Sequence, residues 1–149
     1  MKNQVRKARL TDVDALSGLF DQYRVFYEKP SDEKAAKAFL TERITREESE
    51  IFVVFHPSGT MAGFVQLYPL FSSTRMKRVW LLNDLFVASE FRGQGFSVQL
   101  IEKAKELCRN TNALGMMLET DKTNSIGNNL YPKTGFVLDT AHNFYTWEV

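Results

Sequence analysis

Residues 81–108 read LLNDLFVASEFRGQGFSVQLIEKAKELC, and this stretch decides the fold of the chain. Residues 81–87 are mostly apolar and predict a buried strand. Toward the end, apolar residues recur at the spacing of a helix that buries one face: Leu100, Ile101, Ala104, Leu107 and Cys108. The short turn that joins the two places the N-terminus of the helix next to the end of a strand.

That turn carries two glycines beside a cation. Its residues are Arg92, Gly93, Gln94, Gly95, Phe96 and Ser97. A helix N-terminus exposes backbone N–H groups and the positive end of the helix dipole, which suit a phosphate or pyrophosphate. Glycine can adopt positive φ and lets a ligand approach the backbone, while Arg92 adds a permanent positive charge. Ordinary strand-to-helix turns also use glycine, so the strand before and the helix after are what favour an anion site.

This pattern resembles the acetyl-CoA motif of the GNAT superfamily of N-acetyltransferases, Arg/Gln-x-x-Gly-x-Gly/Ala followed by a helix. The residues that carry the resemblance are Val87 and Arg92 to Ser97, and Ser97 stands where Gly or Ala is usual. The nearest sub-pattern is that of the diamine (spermidine/spermine-type) acetyltransferases, whose strand reads Leu-Glu-Asp-aromatic-aromatic-Val. Asn83 replaces the Glu of that strand, and Asp84 follows it.

Composition indicates an ordinary globular protein. The chain has 149 residues and 44% hydrophobic residues, so we expect a single domain, residues 1–149, with a substantial core. Its 19 Lys and Arg against 18 Asp and Glu give a net charge of +1, which provides no argument for binding nucleic acid or a membrane surface. The single cysteine, Cys108, and an N-terminal segment without an apolar signal-peptide core fit a cytoplasmic protein.

The predicted element order is β-α-α-β-β-β-α-β-α-β-β. The strands are expected at residues 4–10, 51–55, 61–71, 81–87, 116–119, 136–138 and 143–149. Consecutive strands favour antiparallel pairing, and the β-α-β unit across the glycine turn requires a parallel pair. The predicted fold class is therefore α/β (α+β), with a mixed, mostly antiparallel sheet of about seven strands and about four helices. The GNAT fold has this order over the whole length of the chain.

A second segment supports the resemblance. Residues 124–136, NSIGNNLYPKTGF, are similar to the GNAT segment Asn-x6-aromatic or Leu-Tyr-x3-Gly-Phe. The resemblance implies that Asn124 contacts the cofactor and that the hydroxyl of Tyr131 protonates the leaving thiolate. A phenol within hydrogen-bond reach can act as such an acid. The alternative is that Tyr131 is a core aromatic whose hydroxyl lies at the surface.

The implied reaction is acetyl-CoA-dependent N-acetylation of a primary amine. Direct attack on the acetyl carbonyl forms a tetrahedral intermediate, with Tyr131 as general acid and no covalent enzyme intermediate. The resemblance also implies that the pantetheine arm lies beside the end of the strand, at Leu85, Phe86 and Val87. A backbone N–H there would stabilise the oxyanion by about 3 kcal/mol.

The acceptor is the open question. An ammonium with a pKa of about 10.4 must lose a proton before it attacks, and Asn83 cannot accept one, which weakens the assignment to polyamines. Asp84 could hold a cationic substrate, or it could anchor a loop from the opposite face of the strand, because strand residues alternate. Glu28, in the candidate substrate loop 27–33, is a further weak candidate for binding the substrate.

Several alternatives remain at this stage. The acceptor could be a small amine, a polyamine, or a protein lysine or N-terminus, and the acyl donor could be another acyl-CoA. Asn83 and Ser97 also allow a catalytically inactive CoA-binding or regulatory module. His56 and His142 lack metal-ligand spacing, so we expect no metal site. A homodimer is expected by analogy with the fold.

Overall fold

The computed structural model describes residues 4–149. The strands are β1 (Gln4–Lys7), β2 (Glu50–Phe55), β3 (Met61–Ser72), β4 (Lys77–Val87) and β5 (Met116–Met117). The helices are α1 (Val13–Phe26), α2 (Glu33–Thr45), α3 (Phe96–Asn110) and α4 (Ser125–Lys133), and two short 3-10 turns, Leu10–Asp12 and Ser89–Phe91, precede α1 and α3. Two compact units result: the sheet unit, Met1–Leu118, and the C-terminal unit, Glu119–Val149.

The five strands form one sheet in the order β1-β2-β3-β4-β5. Strands β1 to β4 pair antiparallel, and β4 pairs with β5 in parallel across α3. The mixed, mostly antiparallel sheet and the parallel β-α-β unit are therefore confirmed, and β2 and β3 form a hairpin. In residues 4–149, none of the helices has the length and apolar composition needed to cross a membrane.

The prediction of about seven strands is wrong, because residues 136–138 and 143–149 lie in no strand. Their apolar residues suggested strands by β-propensity alone. A strand also needs a neighbour that satisfies its backbone N–H and C=O groups, and no ladder in the described chain includes these residues. Their apolar side chains are instead exposed: Val137, Leu138, Phe144, Tyr145, Trp147 and Val149.

The sheet has two covered faces. Residues on one face of β2, β3 and β4 form a buried cluster with α1 and α2, whose members include Leu16, Phe20, Leu40, Val53, Phe64 and Phe86. Side chains alternate along a strand, and the intervening buried residues face the side on which α3 packs against β2, β3 and β4. The apolar stripe of α3 predicted from the sequence is buried at Leu100, Ile101, Ala104 and Cys108.

A buried carboxylate fixes the connection between α1 and α2. Asp21 accepts hydrogen bonds from the Ser31 hydroxyl at 2.6 Å and from the backbone N–H of Asp32 at 2.7 Å. The side chain of Asp32 then caps α2 by accepting from the backbone N–H of Ala35 at 3.0 Å. The hydroxyl of Ser31 is directed to Asp21, so Asp32 is the residue that caps α2. Glu28 is exposed in this connection and has a φ of 62°.

Replacing Asp21 with Ala should lower the free energy of unfolding by about 2 kcal/mol, because two hydrogen bonds to a buried carboxylate are lost. The Ser31 hydroxyl and the Asp32 N–H lower the pKa of Asp21. This stabilisation is therefore present above the unfolded pKa of about 3.9 and is lost as the pH falls through the folded pKa. Urea unfolding of both proteins at pH 7 and pH 3 measures it. A difference in stability that stays the same at both pH values would contradict the electrostatic explanation.

Candidate active site

A β-bulge interrupts β4 where its polar residues lie. Gln66 of β3 pairs with Asp84, but the next residue of β3, Leu67, pairs with Leu82. Asn83 is thus an extra residue on β4, and a bulge of this kind shifts the alternation of side chains. Without the bulge, Leu82 and Asp84 would face the same side of the sheet. With it, Asp84 lies on the face covered by α1, in register with Gln66 as Phe86 is with Phe64.

Asp84 is a buried carboxylate held by neutral groups. Its side chain is 5% exposed. Its Oδ2 accepts from Gln66 Nε2 at 2.8 Å, and its Oδ1 accepts from Asn83 Nδ2 at 3.0 Å. The hydroxyl of Tyr23 on α1 also hydrogen-bonds to this carboxylate and lies 3.4 Å from the carbonyl oxygen of Asn83. The arrangement gives the carboxylate several donors and no cationic partner among them.

Burial raises the pKa of Asp84 above its ordinary value, although the hydrogen bonds from Gln66, Tyr23 and Asn83 act in the opposite direction. Its charge also affects Tyr68 on β3, whose pKa rises to about 12, chiefly through burial and then through the charge of Asp84. A carboxyl group with a raised pKa is a better proton acceptor than an ordinary aspartate. Asp84 is therefore the candidate general base of the sheet unit.

The end of β4 is connected to the glycine turn through Arg92. Its Nε donates to the carbonyl oxygen of Val87 at 3.1 Å. The guanidinium carbon lies 5.6 Å from the ring centre of Phe86 and 5.8 Å from that of Phe26. Phe86 in turn packs on Tyr23, with ring centres 6.0 Å apart. A continuous set of contacts therefore links the exposed Arg92 to the hydroxyl that reaches Asp84.

The N-terminus of α3 is open to an anion. Gly93 and Gly95 have φ values of 77° and 82°, and a Cβ on either would meet no protein atom within 4 Å. Gly95 is the N-cap of α3, with no side-chain capping bond and no acidic residue in the first turn. By contrast, the side chains of Asp32 and Asn124 cap α2 and α4. The N–H groups at the start of α3 are therefore not used by a capping side chain and can bind an anion.

The edge of β4 beside β5 is largely unpaired. The β4–β5 ladder has only two residue pairs, Trp80 with Met116 and Leu81 with Met117. The last residues of β4 pair with β3 on their other edge. No ladder in the described chain uses the second edge of Leu85, Phe86 and Val87, so an extended ligand can hydrogen-bond to the backbone there.

In the C-terminal unit, Asn124 and Tyr131 lie on either side of Gly127. Asn124 Oδ1 accepts from the N–H of Gly127 at 3.1 Å, and its Nδ2 donates to Thr120 Oγ1 at 2.9 Å. A Cβ on Gly127 would lie 2.6 Å from Asn124 Nδ2 and 3.2 Å from Tyr131 Cε2, so a side chain there would displace the Asn124 amide. The half-buried ring of Tyr131 packs edge-on against Phe136, with centres 5.6 Å apart. The oxygen of the Asn124 amide therefore caps α4, and its nitrogen donates to Thr120.

The predicted residues of the sheet unit fall into two connected groups. The anion loop comprises Arg92, Gly93, Gln94, Gly95, Phe96 and Ser97, and the strand group comprises Asn83, Asp84, Leu85, Phe86 and Val87. Sequence reasoning missed Tyr23 and Gln66, which hold Asp84. A polar residue at position 66 in an otherwise apolar strand, MAGFVQLYPLF, was the available signal, since buried polar groups need partners.

Comparison with known proteins gives one consistent result. Residues 16–136 match the model of the acetyltransferase (GNAT) family. An uncharacterized N-acetyltransferase, YhfO, of Bacillus subtilis (strain 168) is 39% identical over 145 residues, which is 97% of each chain. The crystal structure of a probable acetyltransferase superposes with a TM-score of 0.93 at 37% identity, covering 98% of this chain and 97% of that one.

A more distant structure shares the fold. It is an aminoglycoside N-acetyltransferase in complex with CoA, with a TM-score of 0.82 at 21% identity, covering 99% of this chain and 96% of that chain. The shared fold alone does not transfer the aminoglycoside specificity.

Proposed function

Because the chain belongs to the acetyltransferase (GNAT) family and is an acetyltransferase that uses acetyl-CoA, we propose that it acetylates the primary amine of a small acceptor bearing one positive charge. The observation that carries the proposal is the buried, bulge-positioned carboxylate of Asp84. The family model runs from residue 16 to residue 136, through both compact units, which supports treating the chain as one acetyltransferase domain.

The glycine turn fits the diphosphate of CoA. Both glycines have positive φ and open space where a Cβ would lie, and α3 has neither a capping side chain nor an acid at its start. In this proposal, the N–H groups of Gly93 and Gly95 and those of the first turn of α3 hold the diphosphate. Arg92 adds a positive charge beside them. Bound acetyl-CoA supplies the activated thioester carbonyl.

The unpaired edge of β4 supports a role in orienting the acyl group. Backbone N–H groups near Leu85, Phe86 and Val87 would donate to the carbonyl oxygen as negative charge develops on it. One preorganised donor of this kind is worth about 3 kcal/mol. The free strand edge next to the anion loop is the feature that supports this assignment.

Asp84 is the proposed acceptor-site carboxylate and general base. An ammonium group would pair with it, and the raised pKa of the carboxyl suits it to accept the proton that the amine must lose. The nearby rings of Tyr23, Phe26 and Tyr27 would pack around the cation. Asn83, in the place of the family Glu, would orient the carboxylate through its hydrogen bond and would not accept the proton.

A single charge distinguishes this acceptor from a polyamine. A chain of several ammonium groups favours several acids, whereas strand β4 has Asn83 in the place of the Glu of the diamine sub-pattern and so offers one carboxylate, Asp84. The groups that hold Asp84 are neutral. This supports a monoamine over the spermidine-type substrate to which the sequence sub-pattern pointed.

An amine panel tests this function. Release of free thiol from acetyl-CoA is followed with small monoamines, diamines, spermidine and a lysine peptide. We expect the highest kcat/KM for a monoamine with an apolar or aromatic body. The alternative, an inactive CoA-binding module, predicts a thermal shift with CoA and no amine-dependent thiol release. A preference for spermidine over every monoamine would refute the single-charge assignment.

Tyr131 is the proposed general acid. Replacing Tyr131 with Phe should lower kcat about 100-fold, because the leaving thiolate loses its proton donor, while the affinity for CoA stays within about twofold. Rapid-mixing kinetics and calorimetric titration of CoA measure the two effects. The matched control is Tyr145→Phe, which removes an exposed hydroxyl in the same unit. Equal turnover in Tyr131→Phe and Tyr145→Phe would contradict the assignment.

A homodimer remains part of the proposal. The exposed apolar side chains near the C-terminus, Phe144, Tyr145 and Trp147, form a surface that a second copy could cover. Sedimentation velocity with the wild type and with a Trp147→Ser variant tests it. A wild-type monomer at all concentrations would rule the dimer out. A cytoplasmic location stays a prediction.

A further inference from the structure

Gln66 is a fully buried amide in the middle of the sheet. Its exposure is 0%, and it is paired with Asp84 in the β3–β4 register. Its Oε1 accepts from the Ser49 hydroxyl at 2.8 Å, and its Nε2 donates to Asp84 Oδ2 at 2.8 Å. A hydrogen-bonded line therefore runs from the start of β2 through β3 to the carboxylate on β4.

The orientation of this amide is coupled to the charge of Asp84. An amide presents an N–H donor at one end and only an acceptor at the other, whereas a hydroxyl can either donate or accept. With Nε2 toward Asp84, the amide stabilises the carboxylate. A reversed amide would place its oxygen against Oδ2, which is acceptable only if the carboxyl is protonated. In the first orientation the Ser49 hydroxyl donates to Oε1, so both ends of the buried amide have partners while Asp84 is charged.

We propose that Gln66, oriented by Ser49, is a positioning residue that keeps the buried Asp84 carboxylate charged and directs its other oxygen toward the acceptor amine. Oδ2 accepts from the fully buried Gln66, and Oδ1 accepts from Asn83 on the exposed bulge, so the proposal assigns Oδ1 to the acceptor amine. This inference rests on the proposed function, in which Asp84 receives the amine and its proton.

The other titratable and charged groups near the pair do not replace this function. Tyr23 on α1 donates to Asp84, and Tyr68 on β3 has a pKa of about 12. Arg43 on α2 acts on Tyr68, but it is engaged by Glu42 and Glu48. Tyr68 therefore stays protonated in an assay between about pH 5 and pH 9. Asp84 is the carboxyl group of this cluster, and burial raises its pKa above the ordinary value.

Gln66→Met tests the proposal, since methionine keeps the volume and removes the donor. We expect the acidic limb of the pH profile of kcat/KM to move up by about one pH unit, because a hydrogen bond to the charged form is lost. Above that limb, activity should return to within a few-fold of the wild type. A merely structural role for Gln66 would lower activity evenly across the pH range.

The second readout does not depend on activity. The carboxyl carbon of Asp84, labelled with carbon-13 aspartate and identified by its loss in Asp84→Asn, is titrated by NMR. The midpoint of the Asp84 titration should move up in Gln66→Met and, by a smaller amount, in Ser49→Ala, which removes only the donor to Gln66 Oε1. Ser49→Ala is the second variant if Gln66→Met does not fold. The control is Thr111→Val, which leaves the indole N–H of Trp80 without its 2.9 Å acceptor and should not move the midpoint.

The outcomes separate the inference from the function on which it rests. Upward shifts of the NMR midpoint and of the acidic limb support both the role of Gln66 and the role of Asp84 as the base. An upward NMR shift with an unchanged limb supports the role of Gln66 and overturns Asp84 as the base. An NMR midpoint that stays at the wild-type value in both Gln66→Met and Ser49→Ala overturns the role of Gln66, whatever the activity.

Discussion

The Asp84→Asn variant should have a kcat/KM for amine acetylation about 1000-fold below that of the wild type, because the proposed proton acceptor and the proposed partner of the ammonium are lost together. Affinity for CoA should change little, since the anion loop is untouched. Thiol release and calorimetric titration of CoA measure the two quantities. The matched control is Asp14→Asn, which neutralises an exposed carboxylate on α1.

The same variant should be more stable than the wild type at neutral pH. Burial raises the pKa of Asp84, so the folded protein ionises this group at a cost that the unfolded chain does not have. Below about pH 4 the carboxyl is protonated in both states and the two proteins should be equally stable. As the pH rises through the folded pKa, the wild type loses stability relative to Asp84→Asn. Each 1 kcal/mol should appear as about 2–4 °C in Tm.

Two results would contradict this. Retained activity in Asp84→Asn would show that the carboxylate is not needed for transfer. If Asp84→Asn is less stable than the wild type at pH 8, the charged carboxylate stabilises the folded protein and its ionisation does not lower the free energy of unfolding.

The second large effect is expected at Gly95. Replacing Gly95 with Leu should weaken CoA binding about 100-fold or more, because the side chain fills the space beside the N–H groups that are proposed to hold the diphosphate. The positive φ of 82° adds a backbone strain of about 1–2 kcal/mol. This strain lowers the stability of the variant even without a ligand, so its effect must be separated from the steric exclusion of CoA.

Gly59→Leu is the matched control for that strain. Gly59, in the β2–β3 turn, has a φ of 92°, and a Cβ at this position, as at Gly95, would meet no protein atom within 4 Å. Both variants should lose similar stability, but only Gly95→Leu should lose CoA affinity, as measured by calorimetry on the folded proteins. Equal CoA affinity in the two variants would show that the anion loop does not bind CoA.

The backbone geometry of the anion loop could be predicted from the sequence because its signals are local. The apolar run before it, the glycines at positions 93 and 95 and the helical stripe after it each lie within a few residues of the turn. The structure confirms the strand, the helix and the positive φ of both glycines. Local backbone chemistry determines such a feature, so a single sequence suffices.

The position of Asp84 could not be predicted in the same way. Simple alternation from Leu82 puts this carboxylate on the α3 face, and only the bulge at Asn83 moves it to the α1 face. Whether a strand bulges depends on its pairing with β3, which the sequence of β4 alone does not specify. Its partners Gln66 and Tyr23 also come from distant positions. The strands wrongly predicted at residues 136–138 and 143–149 have the same cause. A strand needs the edge of a neighbouring strand to pair with as well as β-propensity.

The most direct test of the central claim, that the anion loop and the Asp84 carboxylate belong to one acetyl-transfer site, is calorimetric titration with a CoA–acetyl–monoamine conjugate. Two subsites bound by one linked ligand gain affinity through effective concentration. We expect the wild type to bind the conjugate at least about 100-fold more tightly than CoA, and we expect Asp84→Asn to lose most of that gain while retaining its affinity for CoA. A conjugate that binds no more tightly than CoA, or equally to both proteins, would contradict the claim.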